Sequence, residues 1–165
     1  MKILKNQPQH GFSLLELILT IAIMAALSVA VFSSINPKKR IQSARDTNRA
    51  ASVGSIIGAI YMYINENNGV LPTGLTVNMS EERQLGTTGG NPSCAIATGT
   101  CAVTNAQCLD LSTPLNKYLA SMPIDPLSTK YSAANTGYSV FVNANGIVTV
   151  KACGAELTSP ISISR

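Results

Sequence analysis

The chain has 165 residues, 45% hydrophobic and only 12% charged, with a mean hydropathy of +0.21 and a net charge of +4. Soluble domains carry about a quarter charged residues, so part of this chain is not built as a water-facing surface. The balance excludes a plain cytosolic enzyme, a coiled coil and an acidic disordered tail, and it leaves room for one small domain beside an apolar segment.

Residues 1–11 are short and basic, with Lys2, Lys5 and the only histidine, His10. From Phe12 to Ile35 runs FSLLELILTIAIMAALSVAVFSSI, with Glu16 its only charge. At 1.5 Å per residue this predicts a helix of roughly 36 Å, enough to cross a bilayer core. Three readings compete. A secretory signal peptide would be cut after Ala30 in Ser28-Val29-Ala30, but its apolar core would be overlong and would hold a glutamate. A simple transmembrane anchor leaves that carboxylate unpaired at bilayer depth, at a cost of about 2.5 to 3.5 kcal/mol. Cleavage after Gly11 gives Phe12 a free amine four residues before Glu16 on the same helix face, and so supplies a partner.

Asn36-Pro37 interrupts the run, and Pro37 predicts a kink in a helix that continues beyond it. Five basic residues follow (Lys38, Lys39, Arg40, Arg45, Arg49), accompanied only by Asp46. From Glu66 to Arg165 five basic residues face six acidic ones, so the positive charge is a juxtamembrane feature solvated beside lipid headgroups. Ile41, Ala44, Val53, Ile56, Ile57, Ile60 and Ile64 make one apolar stripe. Asn67-Asn68-Gly69 and Pro72 stop the helix. Ala50, Gly54 and Gly58 recur every four residues, which predicts a close backbone approach, to a sheet in preference to another helix.

Residues 70–137 read mainly as loop, with two short helices. Ser80 caps Glu81-Glu82-Arg83-Gln84, and Thr113-Pro114 opens a helix with Leu115, Tyr118, Leu119 and Met122 on one face. Tyr138–Val142 and Ile147–Lys151 alternate as a β-hairpin turned at Asn145-Gly146. Beyond Cys153 the tail reads as polar and loose. Helix, loop and hairpin together give an α+β domain.

Charge and cysteines disagree on orientation. Basic residues crowd the C-terminal side of the apolar run, which by the positive-inside rule places the domain in the cytoplasm. Cys94, Cys101, Cys108 and Cys153 are even in number, without a CxxC pair or nearby histidine, and indicate two disulfides in an oxidising compartment. The cysteines decide the matter. Local closure favours Cys94–Cys101 with Cys108–Cys153, although Cys101–Cys108 has the same spacing. No nucleophile–base set can be assembled. Gly86-Thr87-Thr88-Gly89-Gly90-Asn91 lacks the lysine of a phosphate loop, and neither a metal nor a cofactor is expected.

Gly11-Phe12-Ser13-Leu14-Leu15-Glu16, between a basic leader and an apolar helix, resembles the class III signal of type IV pilins and type II secretion pseudopilins. The resemblance implies a prepilin peptidase cut between Gly11 and Phe12, methylation of the Phe12 amine, and pairing of Glu16 with the Phe12 amine of a neighbouring subunit. Pairing within one chain is also permitted by the spacing. It implies a type IV pilin-like fold, with one long N-terminal helix packed on a small antiparallel sheet and a loop-rich, disulfide-bearing region. The expected layout is a leader at 1–11, a transmembrane and polymerisation helix at 12–36, its amphipathic half at 37–66, and a head at 67–165 with the hairpin at 138–152. Tyr118-Leu119 followed by Pro123-Ile124-Asp125-Pro126 is similar to a passage of the major pseudopilins, but Leu127-Ser128-Thr129 replaces their tryptophan and glycine turn. Their acidic calcium loop is not visible, so calcium is not carried over.

The expected function is a structural subunit of a pilus-like filament. The alternatives are a secretion pseudopilin and a membrane-anchored binding module that never polymerises. Implied partners are copies of itself, minor pilins, prepilin peptidase, an inner-membrane assembly platform and, before assembly, the bilayer. The near-neutral head offers little for the phosphates of nucleic acid.

Overall fold

The computed structural model describes residues 11–34, 36–87, 94–96, 100–157 and 160–165, with backbone only at 33–34. The chain divides between Lys38 and Lys39 into two units. In the first, helix α1 spans Leu14–Ser34 and exposes its apolar side chains throughout, because leucine, isoleucine and valine occupy every face. Helix α2 spans Pro37–Glu66. Asn36 lies outside the helix and Pro37 is the first residue of α2, where its missing N–H removes no hydrogen bond. The helical run is thus divided ahead of Pro37.

In the second unit, α2 ends where the sequence predicts. Asn68 (φ 54°) and Gly69 (φ 85°) take left-handed conformations, and the Gly69 N–H returns to the Ile64 carbonyl at 2.8 Å. Val53, Ile56, Ile57 and Ile60 are fully buried. Ile41 and Ala44 are exposed, so the apolar stripe works only from Val53 onward.

Four antiparallel strands follow in the order β1-β2-β3-β4: Arg83–Gln84, Tyr138–Val142, Val148–Ala152 and Ile161–Ser164. The central register sets Tyr138 opposite Ala152, Val140 opposite Val150 and Val142 opposite Val148. These six side chains are buried and form the core with the lower face of α2. The expected hairpin is therefore present. Its turn is wider than a two-residue loop, with the Asn143 side chain accepting from the N–H groups of Asn145 and Ile147 and Gly146 at φ 78°. Helix α3, Ser112–Leu115, opens as expected at Thr113-Pro114 but lasts one turn, and Leu115, Tyr118, Leu119 and Met122 all pack on the core.

Two expectations are corrected here. Residues 80–84 are not a capped helix, since Arg83 and Gln84 pair with Val140 and Ser139 as β1. Glu82, instead of standing in the first turn of a helix capped by Ser80, is buried, accepting from Ser139 Oγ and from Lys151 Nζ at 2.9 Å. The segment after Cys153 is not loose either. Its Ile-Ser-Ile-Ser alternation adds β4 to β3, with Ile161 and Ile163 against the core.

The disulfides join Cys94 to Cys108 and Cys101 to Cys153, with Cα separations of 5.2 and 5.1 Å, so the favoured local pairing is corrected. Hydrogen bonding explains the choice. Ile96 bridges Val103 antiparallel, and the Cys94 N–H meets the Ala106 carbonyl at 2.9 Å, which brings Cys94 to the base of a loop beside Cys108. Cys101 stands across that loop, against Ser139 Oγ, while Thr100 binds the Ala152 carbonyl at 2.8 Å and sets Cys101 beside Cys153. Closing 14- and 52-residue separations contributes about 3 and about 4 kcal/mol in the chain-entropy model.

Candidate functional site

The N-terminal segment is built around the start of α1. Phe12 and Ser13 precede the helix, and the Ser13 carbonyl accepts the first helical bond, from Leu17 N–H at 3.1 Å. Glu16 lies in the first turn, where the helix dipole favours a carboxylate. Gly11 has open space around the position a Cβ would take, and Phe12 is 78% exposed, so the Gly11–Phe12 peptide is accessible. Leu14–Phe32 is long and apolar enough to cross a membrane, with mean hydropathy 2.5. Its two hydroxyls are satisfied within the helix, Thr20 on the Leu17 carbonyl (2.8 Å) and Ser28 on the Met24 carbonyl (2.7 Å), so neither presents an unpaired donor to lipid. Glu16 remains the single ionic group of the segment.

A second constellation sits in the head, and the sequence reading missed it. Arg49 is fully buried. Its Nε and Nη2 bind the two oxygens of Asp125 at 2.7 and 2.8 Å, the bidentate geometry that suits a guanidinium. Its Nη1 reaches Asp46 at 2.7 Å and Glu156 at 3.0 Å. Glu156 also receives Arg45 at 3.2 Å, and Asp46 accepts the backbone N–H groups of Glu156 and Leu157. Arg45 and Arg49 are therefore not headgroup-facing charges, as their place after the apolar run suggests, but anchors tying α2 to the 123–127 loop and to the segment after β3. Gly154 is required here, because a Cβ would lie 2.8 Å from Asp125 Oδ2 and 3.3 Å from Arg49 Nη2. The Pro-x-Asp-Pro passage was the one visible signal that Asp125 had a fixed role.

Electrostatics follow the geometry. Asp125, foremost, holds the Arg49 guanidinium charged by raising its pKa further. Burial pushes the Asp46 carboxyl up, but Arg49 and the Glu156 and Leu157 amides outweigh it and hold it below its ordinary value of 3.8. A carboxylate with a depressed folded pKa stabilises the fold above its unfolded pKa, and that contribution is lost as pH falls through the folded value. Unfolding free energy of the head should thus decline as pH drops below about 3.8. In Asp46→Asn the part of that decline due to Asp46 should vanish, and an unchanged acid slope in denaturant titrations would remove Asp46 from the account.

The remaining sequence-identified residues fall into place. All four cysteines are in disulfides. Gly86 and Thr87 of the glycine-rich stretch belong to a turn beside Ala133 and Ala134, whereas residues 88–91 lie outside the described residues. Among the described residues no group of three or more His, Cys, Asp or Glu side chains is placed to hold a metal ion.

Residues 6–32 match the model of the prokaryotic N-terminal methylation motif. No curated protein and no solved structure matches the chain. The motif, with the apolar helix it contains, is consistent with a type IV pilin-like class III signal and supports a structural pilin- or pseudopilin-like protein. A membrane-anchored precursor, self-assembly and processing by prepilin peptidase are what such a motif implies.

Proposed function

We propose that this chain is a structural pilin subunit, cut between Gly11 and Phe12, methylated on the Phe12 amine and polymerised through α1 into a type IV pilus-like filament. The observation that carries the reading is the methylation motif at 6–32 set on an exposed apolar helix with one carboxylate, Glu16. That carboxylate is costly in lipid when alone and acceptable when paired. The free Phe12 amine of a neighbouring subunit is the partner it fits, and such a pair fixes the axial register of packed helices more than it adds stability. The two disulfides agree with a head outside the cytoplasm. Copies of itself, minor pilins and an inner-membrane assembly platform are the partners this role requires. A secretion pseudopilin is the second reading, favoured by the Pro123–Pro126 passage, whose Asp125 serves as the anchor for Arg49.

The test is the intact mass of the protein from its native envelope. The mature chain should begin at Phe12 with one added methyl group, and Gly11→Leu should accumulate uncut precursor. Retention of residues 1–11, or a start at Val31, overturns the reading.

A further inference from the structure

The two edges of the sheet are finished differently. Beside the two-residue β1, Leu85 bridges Leu109, and Arg83 reaches the carbonyl oxygens of Gln107 at 3.1 Å and Cys108 at 3.5 Å. At the opposite edge, β4 has β3 as its only strand neighbour among the described residues. Val148 and Arg165 exchange N–H···O bonds of 2.8 and 3.0 Å. By the alternation of an antiparallel ladder, Ile161 and Ile163 also turn their backbone groups toward β3, whereas Ser162 and Ser164 turn theirs away from the sheet. Natural edges are guarded by charge, proline or bulges. Ile161–Ser164 has none of these within it, Pro160 and Arg165 standing only at its two ends, and its register with β3 runs unbroken.

We propose that this edge takes the β4 strand of a second copy of the chain, antiparallel about a two-fold axis at Ile163. The outward groups set the register. Ser162 opposes Ser164 of the partner subunit and the reverse, each pair exchanging two backbone bonds, so four bonds form and two four-stranded sheets become one. Ile163 meets its symmetry mate in a non-hydrogen-bonded pair, with Cα atoms about 4.5 Å apart. Within 161–164 there is no charge to desolvate, and the Ile-Ser alternation matches itself under the two-fold, as an isologous contact requires. The exposed Arg165 comes opposite Ile161 of the partner subunit, where its long side chain can keep the guanidinium in water. The flank of α2 leaves room for the approach. A Cβ on Gly54 would lie 3.9 Å from Ile163 Cδ1, one on Gly58 would meet nothing within 4 Å, and Ala50 lines a groove of about 480 Å³ with Ser43, Asp46, Thr47, Leu157 and Ile161, its one carboxylate, Asp46, already held by Arg49. This gives the small-residue stripe of α2 a role beside the open edge that packing within one head does not.

The test uses the full chain in detergent. Ser162→Pro removes an outward N–H and leaves the β3 ladder intact, a tolerated position for proline. Wild-type protein should show a monomer–dimer equilibrium in sedimentation, at least tenfold weaker in Ser162→Pro at an unchanged unfolding midpoint. Independently, Ser162→Cys chains mixed with Ser164→Cys chains should cross-link to each other, because a hydrogen-bonded pair sets Cα atoms about 5.5 Å apart, within disulfide reach. Neither variant alone should do so. If Ser162→Pro lowers the midpoint, the cysteine mixture decides. Protein monomeric at all concentrations, a dimer indifferent to Ser162→Pro, or equal cross-linking in the single variants overturns the proposal. So does capture of a foreign extended segment at this edge without self-association. The contact does not depend on the filament reading, and Glu16→Gln should leave it unchanged.

Discussion

Cells carrying Glu16→Gln should assemble at least tenfold fewer filaments than wild type, while the head folds normally. The argument is electrostatic. A glutamine keeps the size and hydrogen-bonding ability of the side chain but removes the charge, and in the filament we propose the neighbouring Phe12 amine then loses its counter-ion. Breaking one partner of a buried pair costs about 3–5 kcal/mol, repeated at every subunit. Glu16 belongs to the first unit, whereas the disulfides and the Arg49 anchor that hold the head belong to the second. Counting sheared fibres by microscopy, alongside the thermal midpoint of the head, separates the two effects. Wild-type fibre numbers would count heavily against the intersubunit pairing.

Asp125→Ala should destabilise the head by about 3 kcal/mol, the lower end of the range for orphaning a buried charge, since Arg49 keeps Asp46 and Glu156. For a unit of this size that corresponds to a fall of about 10 °C in unfolding midpoint. The double variant Arg49→Met with Asp125→Leu should recover only part of the loss, because the buried pair is replaced by apolar groups, often a neutral change, while Asp46 and Glu156 lose Arg49. Calorimetry of wild type, both singles and the double closes the cycle. A double variant as unstable as Asp125→Ala would mean that the loop geometry, or the loss of Arg49 from Asp46 and Glu156, carries the cost in place of the unpaired charge.

What could be read from the sequence was local. Apolar composition gave α1, the Asn67-Asn68-Gly69 stop ended α2, and period-two alternation with Asn145-Gly146 gave the hairpin, because each pattern lies within one element. Arg49 was misread for the opposite reason. Its partners Asp125 and Glu156 stand 76 and 107 residues away in the chain, and spacing after an apolar run cannot reveal them. Glu82 looked like a helix-start acid until its pairing with Ser139 and Lys151 drew it into the sheet. The cysteine pairing turned on the Ile96–Val103 bridge, which no composition in that loop announces. β4 is four residues long, too short for its alternation to outweigh a polar, proline-bearing neighbourhood.

The interleaved disulfides bear on how the molecule carries force. Cys101 lies inside the span closed by Cys94 and Cys108, yet is itself bonded to Cys153, 52 residues onward. A pull applied between α2 and the end of the chain therefore bypasses the stretch from 101 to 153, which in a reduced protein could pay out about 180 Å of extended chain. The oxidised subunit cannot lengthen by that amount, however far its hydrogen bonds give way. Between the end of α2 and Arg165, only residues 67–101 and 153–165 are left to extend under such a pull.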